Sequence, residues 1–158
     1  DDALAYCFWL SEKFGGKWRL PTEVEWEFAA RGGNKYRWNA FSGDEILDFV
    51  GWYDKNSGGQ VHEVGTKMPN ELGIHDMSGN VFEWCSDWFG SFYPTNPVRD
   101  YTDTFSNPQG PPSGQGRVVR GGSFFQNPWF AQVLQRMEGG IVPSSRYAEI
   151  GFRVVLSQ

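Results

Sequence analysis

The stretch Leu20-Pro21-Thr22-Glu23-Val24-Glu25-Trp26 carries the strongest local structural signal in the chain. Thr22 can cap the backbone N–H of Glu25, and the Glu25 carboxylate can reach back to the N–H of Thr22, which is a capping box. Gly32-Gly33 follow and supply a stop signal. The stretch therefore predicts a helix that begins after Thr22 and ends before Gly32.

A helix is also predicted upstream, over Asp2 to Phe14. Asp2 is the expected N-cap, and Gly15-Gly16 end the segment. Helical spacing relates Leu4, Cys7, Phe8 and Ser11.

Downstream of Gly33 the pattern changes to short apolar pieces separated by Gly, Asn, Ser and Pro, which favours short strands and long loops. The predicted strands are Val81 to Trp88, Arg117 to Phe125 and Gly151 to Leu156. Tyr93 to Gly116 contains five Pro and reads as one long loop. Two helices followed by short strands indicate an α+β domain.

Composition restricts the class of protein. The 158 residues fit one domain, 17% are aromatic, and the net charge is −5. Because no basic stripe is present, we expect no nucleic-acid partner, and no apolar run reaches the roughly 20 residues of a membrane span. Cys7 and Cys85 could form a disulfide, although two buried thiols are the plainer interpretation.

Five segments share their order and spacing with one known family. They are residues 5–10 (AYCFWL), 19–33, 69–84, 117–123 (RVVRGGS) and 151–153 (GFR). Together they resemble the formylglycine-generating-enzyme, or sulfatase-modifying-factor, domain family. The resemblance implies a C-type-lectin-like fold with short antiparallel strands, and a single domain over residues 1–158. Because family members usually carry strands before the first helix, we expect this chain to be the C-terminal part of a longer one.

The resemblance also bears on catalysis. Members that make formylglycine use two cysteines between the Gly-Gly-Ser and Gly-Phe-Arg motifs, where a thiolate binds copper and activates oxygen. The last cysteine here is Cys85, so that step lacks its ligand. We therefore expect no enzyme activity and no required cofactor. The alternative is a formylglycine-generating or related oxygen-dependent sulfatase-modifying enzyme; His75 beside Asp76 is more simply a structural residue than a catalytic dyad.

Residues 124–149 resemble the variable region of a diversity-generating retroelement protein, in which template codons are rewritten at adenines. Framework positions of that pattern fall on Arg136, Pro143, Arg146 and Ile150. The candidate ligand-binding residues are Phe125, Gln126, Asn127, Trp129, Phe130, Gln132, Gln135, Met137, Glu138, Tyr147, Ala148 and Glu149.

The aromatic residues divide into two predicted groups. Residues 124–130 hold four aromatics around Pro128, and these either pack inside or form a binding surface. We expect Phe124 to be buried. The framework tryptophans expected in the core are Trp9, Trp26, Trp38 and Trp84, whereas the rings expected to meet a partner are Phe125, Trp129, Phe130 and Tyr147.

A second candidate site lies at Asp76 to Glu83. In enzyme members the positions that match Asp76, Gly79, Val81 and Glu83 hold a structural calcium ion, which prefers six to eight oxygen ligands. The alternative is a turn whose carboxylates accept N–H bonds. The two interpretations stay open at this point.

The leading hypothesis is a non-catalytic display protein whose diversified segment binds a protein or glycan ligand. We expect a monomer at the cell surface or outside the cell, lipid-anchored through a segment before Asp1. A purely structural module of a larger envelope protein is a third hypothesis.

Overall fold

The structure is a computed structural model that describes residues 1–35, 37–90 and 110–157. Helix α2 (Glu23–Ala30) begins where the capping box predicts. The Thr22 hydroxyl accepts from Glu25 N at 3.2 Å, and Glu25 Oε2 accepts from Thr22 N at 2.9 Å. Arg31 caps the C-terminal end, and the chain then turns at Gly32, whose φ is 86°. The predicted helix is confirmed at both ends.

Helix α1 (Asp2–Phe14) covers the predicted segment and ends at Gly15. The N-cap is Asp1, without a side-chain capping bond, so the assignment of Asp2 as the cap is wrong by one residue. The helix buries one narrow stripe, Ala3, Cys7 and Leu10.

Trp9 lies on the outward side of α1, and 45% of it is exposed. Its ring contacts Tyr6 at 5.5 Å between centroids and Phe14 at 6.1 Å. The prediction that Trp9 belongs to the core is therefore wrong, because the buried stripe of α1 is on the other side of the helix.

Three short helical turns in the described residues were not predicted. Helix α3 (Leu47–Val50) is a single turn, and two 3₁₀ helices span Gly33–Lys35 and Pro128–Ala131. Leu47 and Val50 pack with Tyr53 and Ala131 in one core cluster. Tertiary packing stabilises such short turns, which have little helical stability of their own.

In the part of the chain that the structure describes, five strands form two small sheets. They are β1 (Lys17–Arg19), β2 (Phe82–Trp88), β3 (Arg117–Arg120), β4 (Ile150–Gly151) and β5 (Val155–Ser157). β1 pairs antiparallel with β5, and the second sheet has the order β3-β2-β4. The β2–β3 pair is antiparallel as expected, whereas β2 and β4 run parallel, an exception to the antiparallel prediction.

Two strands are shorter than predicted. β3 ends at Arg120 because Gly121 and Gly122 adopt φ of 97° and 75°, which a strand does not accommodate. The third predicted strand divides into β4 and β5. Most of the predicted loop Tyr93 to Gly116 lies outside the described residues.

The main core cluster forms between α2 and the second sheet. Its buried members are Trp26, Ala30, Met77, Cys85, Val118 and Val133. Trp26 is 1% exposed, which confirms its predicted place, and Trp84 is half-buried. Trp38 is 81% exposed, so its assignment to the core is wrong. Burial follows from which side of an element faces its neighbours, and a motif position alone does not specify that.

A buried ionic network joins β3 to α2. Arg120 is 1% exposed and donates to Glu23 at 2.9 Å, to Glu27 at 2.8 Å and to the carbonyl of Val133 at 2.7 Å. Burial opposes the charge on Arg120, but the Glu27 and Glu23 carboxylates outweigh it and raise the pKa of the guanidinium. This network fixes the chain around Val133, within the candidate binding segment.

Both cysteines are free and buried. Burial raises the pKa of Cys85 well above its ordinary value, so this thiol stays protonated. Within the described ranges, every helix is too short or too polar to cross a membrane.

Candidate functional site

The candidate ligand-binding residues are interleaved with buried framework residues. Ser123 and Ala131 are each 1% exposed and Val133 is 3% exposed. All twelve candidates are in the described residues, and none is buried. The exposed ones are Phe125, Asn127, Trp129, Glu138, Tyr147 and Ala148; the half-buried ones are Gln126, Phe130, Gln132, Gln135, Met137 and Glu149.

A 3₁₀ turn displays the aromatic pair Trp129 and Phe130. Asn127 is its N-cap and accepts from Trp129 N through Oδ1 at 3.0 Å, while Pro128 opens the turn, where a missing N–H costs nothing. The Trp129 ring meets the Phe130 ring edge to face at 4.9 Å, and Phe130 also contacts Phe82 at 6.3 Å. Phe130 thus fixes the turn to β2, and Trp129 remains 48% exposed.

The second part of the segment, residues 147–149, meets this turn at the start of β2. Phe82 N donates to the Glu149 carbonyl at 2.8 Å, and the Ser123 hydroxyl donates to the Glu149 carboxylate at 3.0 Å. Tyr147, two residues before Glu149 in the chain, is 54% exposed. The contacts of Glu149 therefore bring residues 147–149 close to residues 123–130, and eight of the candidates belong to these two stretches. We call this set the aromatic face, and it comprises Phe125, Gln126, Asn127, Trp129, Phe130, Tyr147, Ala148 and Glu149.

Three further candidates lie away from the aromatic face. After Val133, Arg136 stacks over Phe89 at 4.9 Å and pairs with Glu23 at 2.7 Å, and Ile141 then bridges to Arg117 at the start of β3. Gln135, Met137 and Glu138 belong to this stretch. Gln132 is next to the aromatic face, since its N–H donates to the Trp129 carbonyl.

The predicted framework positions have mixed environments. Ile150 is in β4, and Arg136 holds the Glu23 carboxylate. Arg146 is exposed and pairs with Asp2 at 2.7 Å. These contacts fix the segment at both its middle and its end.

A loop that sequence reasoning missed borders the aromatic face. Asp54 N donates to the Gln126 carbonyl at 3.1 Å, and the Ser57 hydroxyl donates to the Phe124 carbonyl at 2.7 Å. Phe124 N donates to the carbonyl of Asn80 at 2.7 Å. Phe124 is half-buried, and the expectation that it is buried is therefore wrong. In the sequence, Gly58-Gly59 mark a turn here, but nothing local shows that it meets residue 126.

Three of the four predicted calcium residues line one pocket, whereas Gly79 is not among its lining residues and donates its N–H to the carbonyl of Gly121 at 2.7 Å. The pocket has a volume of about 410 Å³, and Asp76, Val81, Glu83 and Arg153 contribute to its lining. Asp76 has a φ of 59° and accepts from Gly65 N at 2.7 Å through Oδ2, while its buried Oδ1 has no hydrogen-bond partner among the described residues.

Glu83 is committed to protein partners. Its Oε2 accepts from Trp26 Nε1 at 2.7 Å and Arg153 Nε at 2.6 Å, and its Oε1 accepts from Arg153 at 2.6 Å. A carboxylate offers about four acceptor sites, so little capacity remains. The Asp76 carboxylate keeps one oxygen that could bind an ion, whereas both oxygens of the Glu83 carboxylate already accept hydrogen bonds. A calcium ion held by all four positions stays a prediction.

His75, in the same turn, makes a hydrogen bond to the protein backbone. His75 Nδ1 lies 2.8 Å from the carbonyl of Lys67, which agrees with a structural role. No group of three or more His, Cys, Asp or Glu side chains in residues 1–35, 37–90 and 110–157 is arranged to hold a metal ion.

Comparison with known proteins places this geometry in a family. The sulfatase-modifying factor enzyme 1-like domain matches residues 1–158. A formylglycine-generating enzyme of Streptomyces coelicolor is 36% identical over 173 residues, covering 97% of this chain and 49% of that protein. The chain thus spans about half the length of this curated relative.

Two solved structures share the fold. Variable protein 1 of Treponema denticola superposes with a TM-score of 0.75 at 40% identity, over 88% of this chain and 47% of that one. PvdO from Pseudomonas aeruginosa gives a TM-score of 0.76 at 30% identity, over 97% of this chain and 57% of that one. The fold is therefore the C-type-lectin-like fold of the formylglycine-generating-enzyme type, and the chain belongs to the sulfatase-modifying factor enzyme 1-like family.

Proposed function

We propose that this chain is a non-catalytic display domain that binds a protein or glycan ligand through its aromatic face, and that a retroelement diversifies residues 124–149. The observation that carries the proposal is the interleaving of exposed candidates with buried framework residues in one segment. A surface built in this way can change its contacts without changing its core.

The energetics support this use of the segment. Ala131 and Val133 belong to two different core clusters, so the framework residues fix the segment at separate points. Substitutions at exposed positions away from such contacts usually change stability by less than about 0.5 kcal/mol. Phe125, Trp129 and Tyr147 are 68%, 48% and 54% exposed. Rigid aromatic side chains also give large contact area at low entropic cost.

The likeness to a treponemal variable protein at 40% identity supports the retroelement part of the proposal. Its test is the neighbouring DNA. We expect a near-identical repeat of codons 117–155 that differs only at adenines, beside a gene for a reverse transcriptase. A locus without such a repeat would refute diversification.

The alternative function is that of the relatives named formylglycine-generating enzyme. That chemistry needs a reactive thiolate, whereas Cys7 and Cys85 are both buried and burial raises the pKa of Cys85. We expect no copper-dependent oxygen consumption with a cysteine-containing peptide above that of Cys85→Ser. Consumption by the wild-type chain that this variant loses would establish the enzyme instead.

The proposed function also implies where the protein is located. A display domain acts at the cell surface or outside the cell, and we propose that it does so as a lipid-anchored monomer. Protease treatment of intact cells should remove the protein, and sedimentation should give a mass near 18.0 kDa for this chain. Protection from protease in intact cells would contradict the location.

A further inference from the structure

The loop beside the aromatic face offers a fixed set of contacts that the diversified segment lacks. The backbone of Asp54 is bonded to that of Gln126, and Ser57 is bonded to Phe124. Asp54 and Lys55 are exposed. Two exposed charged residues of the loop therefore lie next to the segment that carries Phe125, which is 68% exposed.

The diversified segment beside the loop and the loop itself differ in charge. Residues 124–135 read FFQNPWFAQVLQ and contain no ionisable side chain. The loop supplies one carboxylate and one ammonium group at the border. An apolar centre with a polar rim is the usual composition of a protein–protein contact patch.

Two polar side chains of the aromatic face are bonded within the protein. Asn127 Oδ1 accepts from Trp129 N at 3.0 Å, and Glu149 accepts from the Ser123 hydroxyl at 3.0 Å. Each of these side chains thus has one oxygen in use, whereas the Phe125 and Trp129 side chains are 68% and 48% exposed and present apolar rings. Buried aromatic anchors dominate binding energy in protein interfaces.

We propose that Asp54 and Lys55 form a fixed part of the ligand-contact face, and that the ligand is a protein whose contact surface has an apolar, uncharged centre. This inference rests on the proposed function. The diversified residues then set which protein binds, and the fixed pair contributes a rim that is the same in every variant.

The test uses two small probes on the ¹⁵N-labelled 158-residue chain, followed by NMR. Phenol represents an aromatic protein side chain, and methyl α-D-glucopyranoside represents a glycan. We expect phenol to shift the Trp129 indole N–H and the amides of Asp54, Lys55 and Phe125 in one saturable process. We expect the glucoside to shift none of them.

Phe125→Ala and Phe8→Ala make a matched pair, because each ring is 68% exposed and only the first lies on the aromatic face. Phe125→Ala should raise the Kd for phenol, measured from the Lys55 amide shift, about fivefold. This change corresponds to the loss of an aromatic contact of roughly 1 kcal/mol. Phe8→Ala should leave this Kd unchanged.

Three outcomes would overturn the inference. Shifts by the glucoside in place of phenol would indicate a glycan ligand. Phenol shifts at Trp129 without shifts at Asp54 and Lys55 would refute a contact role for these two residues, although the aromatic face would still bind phenol. A response to neither probe would refute an apolar protein contact here. The adenine-specific repeat in the DNA is unaffected by all three, so failure of the proposed function is recognised separately.

Discussion

Replacing Arg120 by Leu tests whether the buried ionic network holds the binding segment to the core. Arg120 makes three hydrogen bonds of 2.7 to 2.9 Å to Glu23, Glu27 and the Val133 carbonyl. Removing one partner of a buried ion pair costs about 3–5 kcal/mol. Glu23 keeps Arg136 at 2.7 Å and Glu27 keeps Arg31 at 2.9 Å. We therefore expect the lower end, about 3 kcal/mol.

Urea unfolding followed by tryptophan fluorescence measures this loss. With a denaturant dependence of about 2 kcal/mol/M, the midpoint should fall by about 1.5 M. Arg146→Leu is the control, because Arg146 forms an exposed pair with Asp2 and its removal should leave the midpoint unchanged. Adding Glu27→Gln to Arg120→Leu should recover part of the loss by removing an uncompensated charge.

The loss in the free energy of unfolding caused by Arg120→Leu should also depend on pH. Burial raises the pKa of Glu23 above its ordinary value of 4.5, against the opposing charges of Arg120 and Arg136. A carboxyl with a raised folded pKa contributes stability below 4.5 that is lost as pH rises through the folded pKa. Without Arg120 that pKa rises further, so the deficit should be larger at neutral pH than in acid. An Arg120→Leu variant as stable as wild type at neutral pH, or a deficit that grows in acid, would refute the reasoning.

Three other predictions concern the site and the thiols. Trp129→Ala should lower the free energy of unfolding by about 1 kcal/mol, the value of its edge-to-face contact with Phe130, whereas Phe82→Ala, at a residue 1% exposed, should cost about 3–5 kcal/mol; equal losses in urea titrations would mean that Trp129 is a core residue. A thiol reagent should modify Cys7 and Cys85 only after denaturation, and rapid labelling of the native chain would contradict their burial. The calcium hypothesis predicts that a chelator lowers the melting temperature and that calcium restores it, an effect that Asp76→Asn removes; an unmoved melting temperature rules the ion out.

Local signals in the sequence were sufficient for helix α2. Thr22 and Glu25 are three residues apart, so the bonds that begin the helix lie within one turn. The same holds for the stop at Gly32, where φ is positive. The motif resemblance likewise identified the family and the C-type-lectin-like fold, because its segments span nearly the whole chain.

Contacts between distant residues were not predictable in this way. Trp9 and Trp38 are large apolar residues of a type common in cores, but both face outward and are 45% and 81% exposed. The partners of Arg120 on α2 are 93 and 97 residues away. Asp54 meets Gln126 across 72 residues, which is why the sequence did not predict the loop beside the aromatic face.

The sequence by itself determined the capped helix α2, the family and the segment that holds the candidate binding residues. Only the tertiary structure decided which members of that segment share a surface, since Glu149 joins Phe82 and Ser123 across the sheet while Met137 and Glu138 follow the chain toward Arg117. The physical reason is that periodicity and capping are properties of neighbouring residues. Burial and shared surfaces depend on packing between segments far apart in the chain.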